Sequence, residues 1–269
     1  MQYRYIIKGT QYEKKYRINQ RMVVMLFNVI VSVAAGLAAA VGALPVLFFR
    51  KIPEVLYDAL LGFAAGVMLF AACFSLIIPA LEKGGVVKTV IGIIAAVIFV
   101  YLIEKTIPHL HPHFGRDLKG ENGFDKELLM VMAIVLHNLP EGLAVGVGLV
   151  SGVEGLGLML ALAIAAQNIP EGLAVAAPMA KKGLSPSKII GITLLSGLAE
   201  PAAALVGMTL CGFSQRILSY GLAFAAGAMI YVVSDHIIPE CHSHGNETQA
   251  TWGVMLGVIT MLFLQEMVG

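Results

Sequence analysis

The chain has 269 residues, of which 58% are hydrophobic and 13% charged, and its formal net charge is +1. A soluble domain carries about 25% charged residues, so this composition, with a mean hydropathy of +0.83, excludes an ordinary water-soluble domain. The near-neutral charge identifies no charged partner, and a nucleic-acid partner is not expected. Three cysteines, Cys73, Cys211 and Cys241, show neither CxxC spacing nor an even count, which argues against a disulfide framework.

Residues 1–21 are polar and basic and read as a tail without the cleavage pattern of a signal peptide. The remainder, 22–269, reads as one helical membrane domain. A span needs about 20 mostly apolar residues, and eight such runs follow in order: about 22–49, 56–81, 86–107, 128–150, 156–178, 188–211, 217–238 and 250–268. Connections are short except for 108–127, which carries His109, His111 and His113 and then many charges. The expected class is all-α and integral to the membrane.

The chain repeats itself twice over. Phe63-Ala-Ala-Gly-Val-Met68, ending at Ile77-Ile-Pro79, recurs as Phe224-Ala-Ala-Gly-Ala-Met229, ending at Ile237-Ile-Pro239. These blocks lie in spans two and seven, which cross in opposite senses. His137-Asn-Leu-Pro-Glu-Gly-Leu-Ala-Val145 and Gln167-Asn-Ile-Pro-Glu-Gly-Leu-Ala-Val175 agree at seven of nine positions, in the antiparallel spans four and five. Both repeats imply an inverted topology about an axis in the membrane plane, the arrangement in which transporter sites form near the midplane on interrupted helices.

The central copies place carboxylates where hydrocarbon is expected, at about 2.5–3.5 kcal/mol each on insertion scales. Residues three and four apart share a helix face, so His137, Asn138 and Glu141 line up, as do Gln167, Asn168 and Glu171. Pro140 and Pro170 withdraw a backbone donor each, and Gly142 and Gly172 permit close helix approach. Span six adds Glu200, followed by Pro201. One imidazole, three amides and three carboxylates suit a borderline divalent ion such as Zn²⁺, Fe²⁺ or Mn²⁺ better than a thiolate-seeking one. A glutamate bridging two ions is ordinary chemistry for sites about 4 Å apart.

At these residues the sequence resembles the ZIP family of metal-ion transporters, and within it the bacterial branch that includes the GufA-like members. The resemblance covers all eight spans and rests on the two Asn-x-Pro-Glu-Gly copies and on Gly197-x-x-Glu200-Pro201. It implies a 3+2+3 helix arrangement and a binuclear site. In that picture His137, Glu141, Gln167 and Glu171, with Met68 nearby, hold one ion; Asn138, Glu141, Asn168, Glu171 and Glu200 hold the second. It further implies import of zinc into the cytoplasm across the cell membrane, with iron, manganese and cadmium as other cargo, and no prosthetic group. An elevator-like shift of spans 1, 4, 5 and 6 against 2, 3, 7 and 8, usually in a homodimer, belongs to the same picture. Asn168 departs from relatives that carry Asp there.

Other residues carry weaker signals. Ser75, Asp235 and His236 fall near the ends of spans two and seven and are candidates for an entrance or exit. Cys241, His242 and His244 suggest a second cluster, beside the His109, His111 and His113 run, which the family picture puts on the cytoplasmic side. With both termini outside, nine Lys/Arg fall inside and nine outside if the tail is counted, or nine against three without it. Translation starting at Met22 would resolve that conflict. An intramembrane metal hydrolase is the rival reading for His137 and Glu141, but it needs an open water position and a separate base, and neither is evident. A channel would favour rings of like residues.

Overall fold

Every long apolar run forms helix, the conformation in which a backbone satisfies its own polar groups away from water. A computed structural model describes residues 11–49, 51–106 and 126–268, with side chains described from residue 22 apart from 106, 126–134 and 215. Helix α1 (Gln11–Ala43) runs into a 3₁₀ turn, Leu44–Leu47, that carries Pro45 in its first positions. After Pro53 at its N-cap, α2 (Glu54–Phe70) passes into a π-helical segment, Ala71–Ile77, and then α3 (Ile78–Thr106). Next come α4 (Lys126–Leu149), α5 (Leu156–Lys181), α6 (Pro186–Gly197) and α7 (Ala199–Phe213). Helix α8 (Gln215–Val232) enters a second π-helical segment, Val233–Ile237, followed by the short α9 (Ile238–Cys241) and by α10 (Glu247–Val268). There is no strand among the described residues. The loop with His109, His111 and His113 lies outside them.

Among the described residues six stretches are long and apolar enough to cross a membrane: Met22–Leu47, Glu54–Lys105, Leu156–Lys181, Pro186–Phe213, Arg216–Cys241 and Glu247–Val268. The expected second and third spans fall together in the 52 residues of Glu54–Lys105. That stretch leaves helical geometry at Gly85, with φ +75° and ψ 172°. A Cβ there would meet nothing within 4 Å, so the positive φ, and not crowding, is what asks for glycine. The expected sixth span is also divided, into α6 and α7, with Leu198 between them.

The most extensive interfaces pair α1 with α5, α4 with α7, α2 with α10 and α3 with α8. Small residues bring the backbones together, as apolar helices in lipid require. A methyl group on Gly66 would collide with the Val254 carbonyl, and one on Gly227 would press on the backbone at Ile93. Met68, Leu76, Leu160, Ile164, Ala226 and Met229 belong to the main buried core. Outward faces stay apolar: Val87, Ile94 and Ile98 on α3, Phe27 on α1, Trp252, Leu256 and Phe263 on α10. Exposed to water these would be aggregation surfaces; exposed to lipid they are a solvent match. The protein is a multi-pass membrane protein.

Candidate metal-ion site

Helix α4 carries His137, Asn138 and Glu141, α5 carries Gln167, Asn168 and Glu171, and Glu200 sits in the first turn of α7. Both central helices continue through Pro140 and Pro170. The interruption expected at those prolines is therefore limited to the missing backbone donors, and the chain breaks instead at Leu198, two residues before Glu200. Glycine brings these helices into backbone contact. A methyl group on Gly142 would strike the Glu200 carbonyl, and one on Gly172 would strike the Ala39 carbonyl of α1.

Burial is nearly complete. Glu141, Gln167, Asn168, Glu200 and Asn138 are all at most 4% exposed. The two asparagines act as ties: Asn138 Nδ2 donates to the Ser196 carbonyl at 2.9 Å, and Asn168 Nδ2 to the Ala35 carbonyl at 2.9 Å. Asn168 Nδ2 also donates to Glu200 Oε1 at 2.7 Å. The other donors are left open. Both oxygens of Glu141, both polar side-chain atoms of Gln167, Glu171 Oε1 and Glu200 Oε2 are buried without a hydrogen-bond partner. Gln167 faces Glu141 outside hydrogen-bonding geometry, and Glu171 and Glu200 lie within electrostatic reach of Glu141. A buried polar atom left unsatisfied costs about 1–3 kcal/mol, more if charged; five of these six are oxygens that could each accept a cation, and the sixth, Gln167 Nε2, is an N–H donor that could not. Three carboxylates supply the charge and amide oxygens complete the shell. The donor set fits a divalent ion of borderline character.

Met68 is fully buried in the apolar core of α2, and no described contact ties it to these donors. His137 turns another way. Its Nε2 is hydrogen-bonded to His236 Nδ1 at 2.9 Å, across 99 residues of sequence. His236 Nε2 in turn lies 3.2 Å from Glu104 Oε1 and 3.2 Å from Asp235 Oδ2. Tyr231 donates its hydroxyl to Glu104 Oε2 at 2.7 Å. Glu104, Asp235 and His236 offer ligand atoms within 4.8 Å of one another, and among the described residues they form the one such three-donor group. Asp235 and His236 were flagged by their position near a span end. Glu104 was not, although a carboxylate in the last turns of the apolar run 86–107 was the signal available.

A cavity opens beside these residues, lined by His137, Asn138, Asn168, Glu171, His236 and Glu240, with Thr193, Ser196 and apolar neighbours. A second, narrower cavity is bordered by Glu104, His137 and His236 and otherwise by apolar side chains such as Phe99 and Phe224. The His137–His236 pair thus stands in the wall of both. Ser75 Oγ is buried and unpaired in the first π segment. Of Cys241, His242 and His244, the first two meet, Cys241 Sγ lying 3.6 Å from His242 Nδ1, and His244 turns to another partner. Cys241 Sγ and His242 Nδ1 both meet the Ile238 carbonyl, at 3.3 and 2.8 Å, while His244 Nδ1 lies 2.9 Å from Asp58 Oδ1.

Comparison with known proteins supplies the wider setting. A family model described as ZIP Zinc transporter matches residues 116–265. The chain is 38% identical over 251 residues to zinc transporter GufA of Myxococcus xanthus, covering 90% of this chain and 99% of that one. It is 40% identical to zinc transporter ZIPB of Bordetella bronchiseptica, over 88% of this chain and 80% of the relative. Zinc transporter ZIP11 of Homo sapiens is 33% identical over 87% and 94%.

Proposed function

Since the chain belongs to the ZIP zinc transporter family, we propose that it carries Zn²⁺ through the socket between α4, α5 and α7, into the cytoplasm. It is a transporter of the cell membrane and not an enzyme. The observation that carries the proposal is the cluster of buried, unpartnered donor atoms on Glu141, Gln167, Glu171 and Glu200. Fe²⁺, Mn²⁺ and Cd²⁺ are further cargo of the same chemistry, and no prosthetic group is needed.

Residues 22–269 form the transporter domain, following the basic stretch 1–21, with eight spans in a 3+2+3 inverted repeat. A continuous helix of 52 residues would measure about 78 Å, over twice the hydrocarbon thickness of about 30 Å. Glu54–Lys105 therefore supplies two spans that turn at Gly85, and α4 supplies another. Reciprocal contacts support the repeat. Asn138 ties to Ser196 as Asn168 ties to Ala35, and Gly36 and Gly197 each abut the other's carbonyl, as residues beside a two-fold axis do. The two π segments also follow the two Phe-Ala-Ala-Gly blocks.

Two ions share Glu141 and Glu171. His137 and Gln167, with Met68 on α2, complete the first shell; Asn138, Asn168 and Glu200 complete the second. The four most extensive interfaces fall within two groups, α1, α4, α5, α6 and α7 against α2, α3, α8 and α10, and the next two, α2 with α5 and α4 with α8, form the seam between them, a division that supports an elevator-like shift of one group along the other. His137 bridges the groups by its bond to His236. It must leave that partner to take a metal, and Glu104, Asp235 and His236 then stand ready to receive the ion on the way out. A homodimer is the proposed assembly. Uptake of radioactive zinc by proteoliposomes containing the purified chain tests the function; zinc accumulation no faster than in protein-free vesicles refutes it.

A further inference from the structure

The two ends of the repeat do not carry the same chemistry. Pro79-Ala80 in the first copy becomes Pro239-Glu240 in the second, and Asp58, five residues before the first Phe-Ala-Ala-Gly block, becomes Ser219 before the second. The structure closes one end with neutral groups: Ser219 Oγ donates to the Ala80 carbonyl at 2.7 Å. At the other end the counterpart positions hold two buried carboxylates, Asp58 on α2 and Glu240 on α9. Asp58 is fully buried, and both its oxygens are engaged, Oδ1 with His244 at 2.9 Å and Oδ2 with Asn246 at 2.9 Å. Glu240 is 4% exposed, accepts from the Tyr57 hydroxyl at 3.4 Å, and lines the same cavity as Glu171, His137 and His236.

We propose that Glu240 is a transit carboxylate for the divalent cation, placed one turn beyond His236 at the outlet of the cavity. The inference rests on the transport reading above. Glu171 and Glu240 are the two carboxylates lining that cavity, and Asp58 is committed to structural partners, so within this cavity Glu240 is the acid that a cation leaving Glu171 meets, apart from the Glu104–Asp235–His236 group. A purely structural role would be served without charge, because glutamine also accepts a hydrogen bond from Tyr57. A buried carboxylate is costly to keep when a neutral group could serve. Because its repeat counterpart is Ala80, this anionic station has no equivalent at the same position of the other copy. Release is thereby favoured over recapture at the deep socket, which affects the rate and not the loading affinity. Tyr57 acts as a positioning residue for Glu240.

The test is initial-rate uptake of radioactive zinc over a range of concentrations, in cells expressing the full chain at equal surface amounts. Glu240→Gln is expected to lower the maximal rate about fivefold or more with half-saturation within about twofold of wild type, and Glu240→Asp to recover much of the loss. Tyr57→Phe is expected to lower the maximal rate about twofold, again without moving half-saturation. Wild-type rates in Glu240→Gln overturn the proposal, as do equal changes in rate and half-saturation or an Asp variant no better than Gln. Should Glu240→Gln fail to reach the membrane, Tyr57→Phe decides: an unchanged maximal rate overturns the proposal. A Glu141→Ala control separates the two levels. Loss of uptake there with wild-type Glu240→Gln behaviour sinks this inference alone, whereas normal uptake in Glu141→Ala takes down the transport reading as well.

Discussion

The two central helices carry almost the same nine residues and put them to partly different use. Asn138 and Asn168 play one role, each reaching a backbone carbonyl on a neighbouring helix at 2.9 Å. Gly142 and Gly172 play another, each letting a facing carbonyl close in. The copies part where their residues differ or their partners do. His137 is half-buried and turned to His236, whereas Gln167 is sealed in the socket. Gly142 faces Glu200, while Gly172 faces Ala39. The shared positions supply a glutamate, an asparagine and a glycine to each helix, and the unshared first position puts an imidazole on α4 where α5 carries an amide. Two nearly identical segments can thus share a backbone frame and still differ in side-chain partners.

The comparison breaks first at the shared glutamates. Glu141→Ala and Glu171→Ala should each abolish zinc uptake, by roughly a hundredfold or more, because each carboxylate can touch both ions. Equal loss from the two helices supports shared use, and wild-type uptake by either variant at equal expression refutes it. The shared glycines come next. Gly142→Leu and Gly172→Leu should both destabilise the protein in detergent by about 1–3 kcal/mol or more, through overpacking against backbone that cannot yield. Thermal unfolding that spares one of them would contradict the reciprocal frame.

The unshared positions should discriminate between metals. His137→Ala is expected to weaken zinc about tenfold and manganese far less, since imidazole suits zinc and oxygen ligands suffice for manganese. Competition assays that give one common loss would make His137 a structural partner of His236. The smallest expected effect belongs to Asn168→Asp. Three glutamates face four positive charges if two divalent ions bind, so an aspartate balances the sum and should tighten the second ion several-fold. The same change deletes the amide that donates to Glu200 and the Ala35 carbonyl, so the metal-free protein should melt lower. Calorimetric titration showing two equally tight sites in the wild type, or no gain in the variant, would defeat the charge argument.

Much of this was legible before any coordinates. Low charge and long apolar runs identify a membrane protein whatever the packing, because hydrocarbon excludes most other solutions. The spacing of His137, Asn138 and Glu141, and of Gln167, Asn168 and Glu171, puts each trio on one face through the helical period alone, and the family resemblance follows from those same residues. Local periodicity does not say which face meets which. Tertiary packing decided that His137 bonds His236, 99 residues away, that Glu104 joins Asp235 and His236, and that Glu240 rather than Asp58 looks into the cavity. It also decided that α4 and α5 continue as helix through their prolines while α6 and α7 are divided at Leu198. The physical reason is common to all of these. A side chain's direction along its own helix is set by three or four neighbouring residues, but its partners depend on how closely two backbones approach, and that is fixed by glycines and carbonyls on helices far apart in the chain.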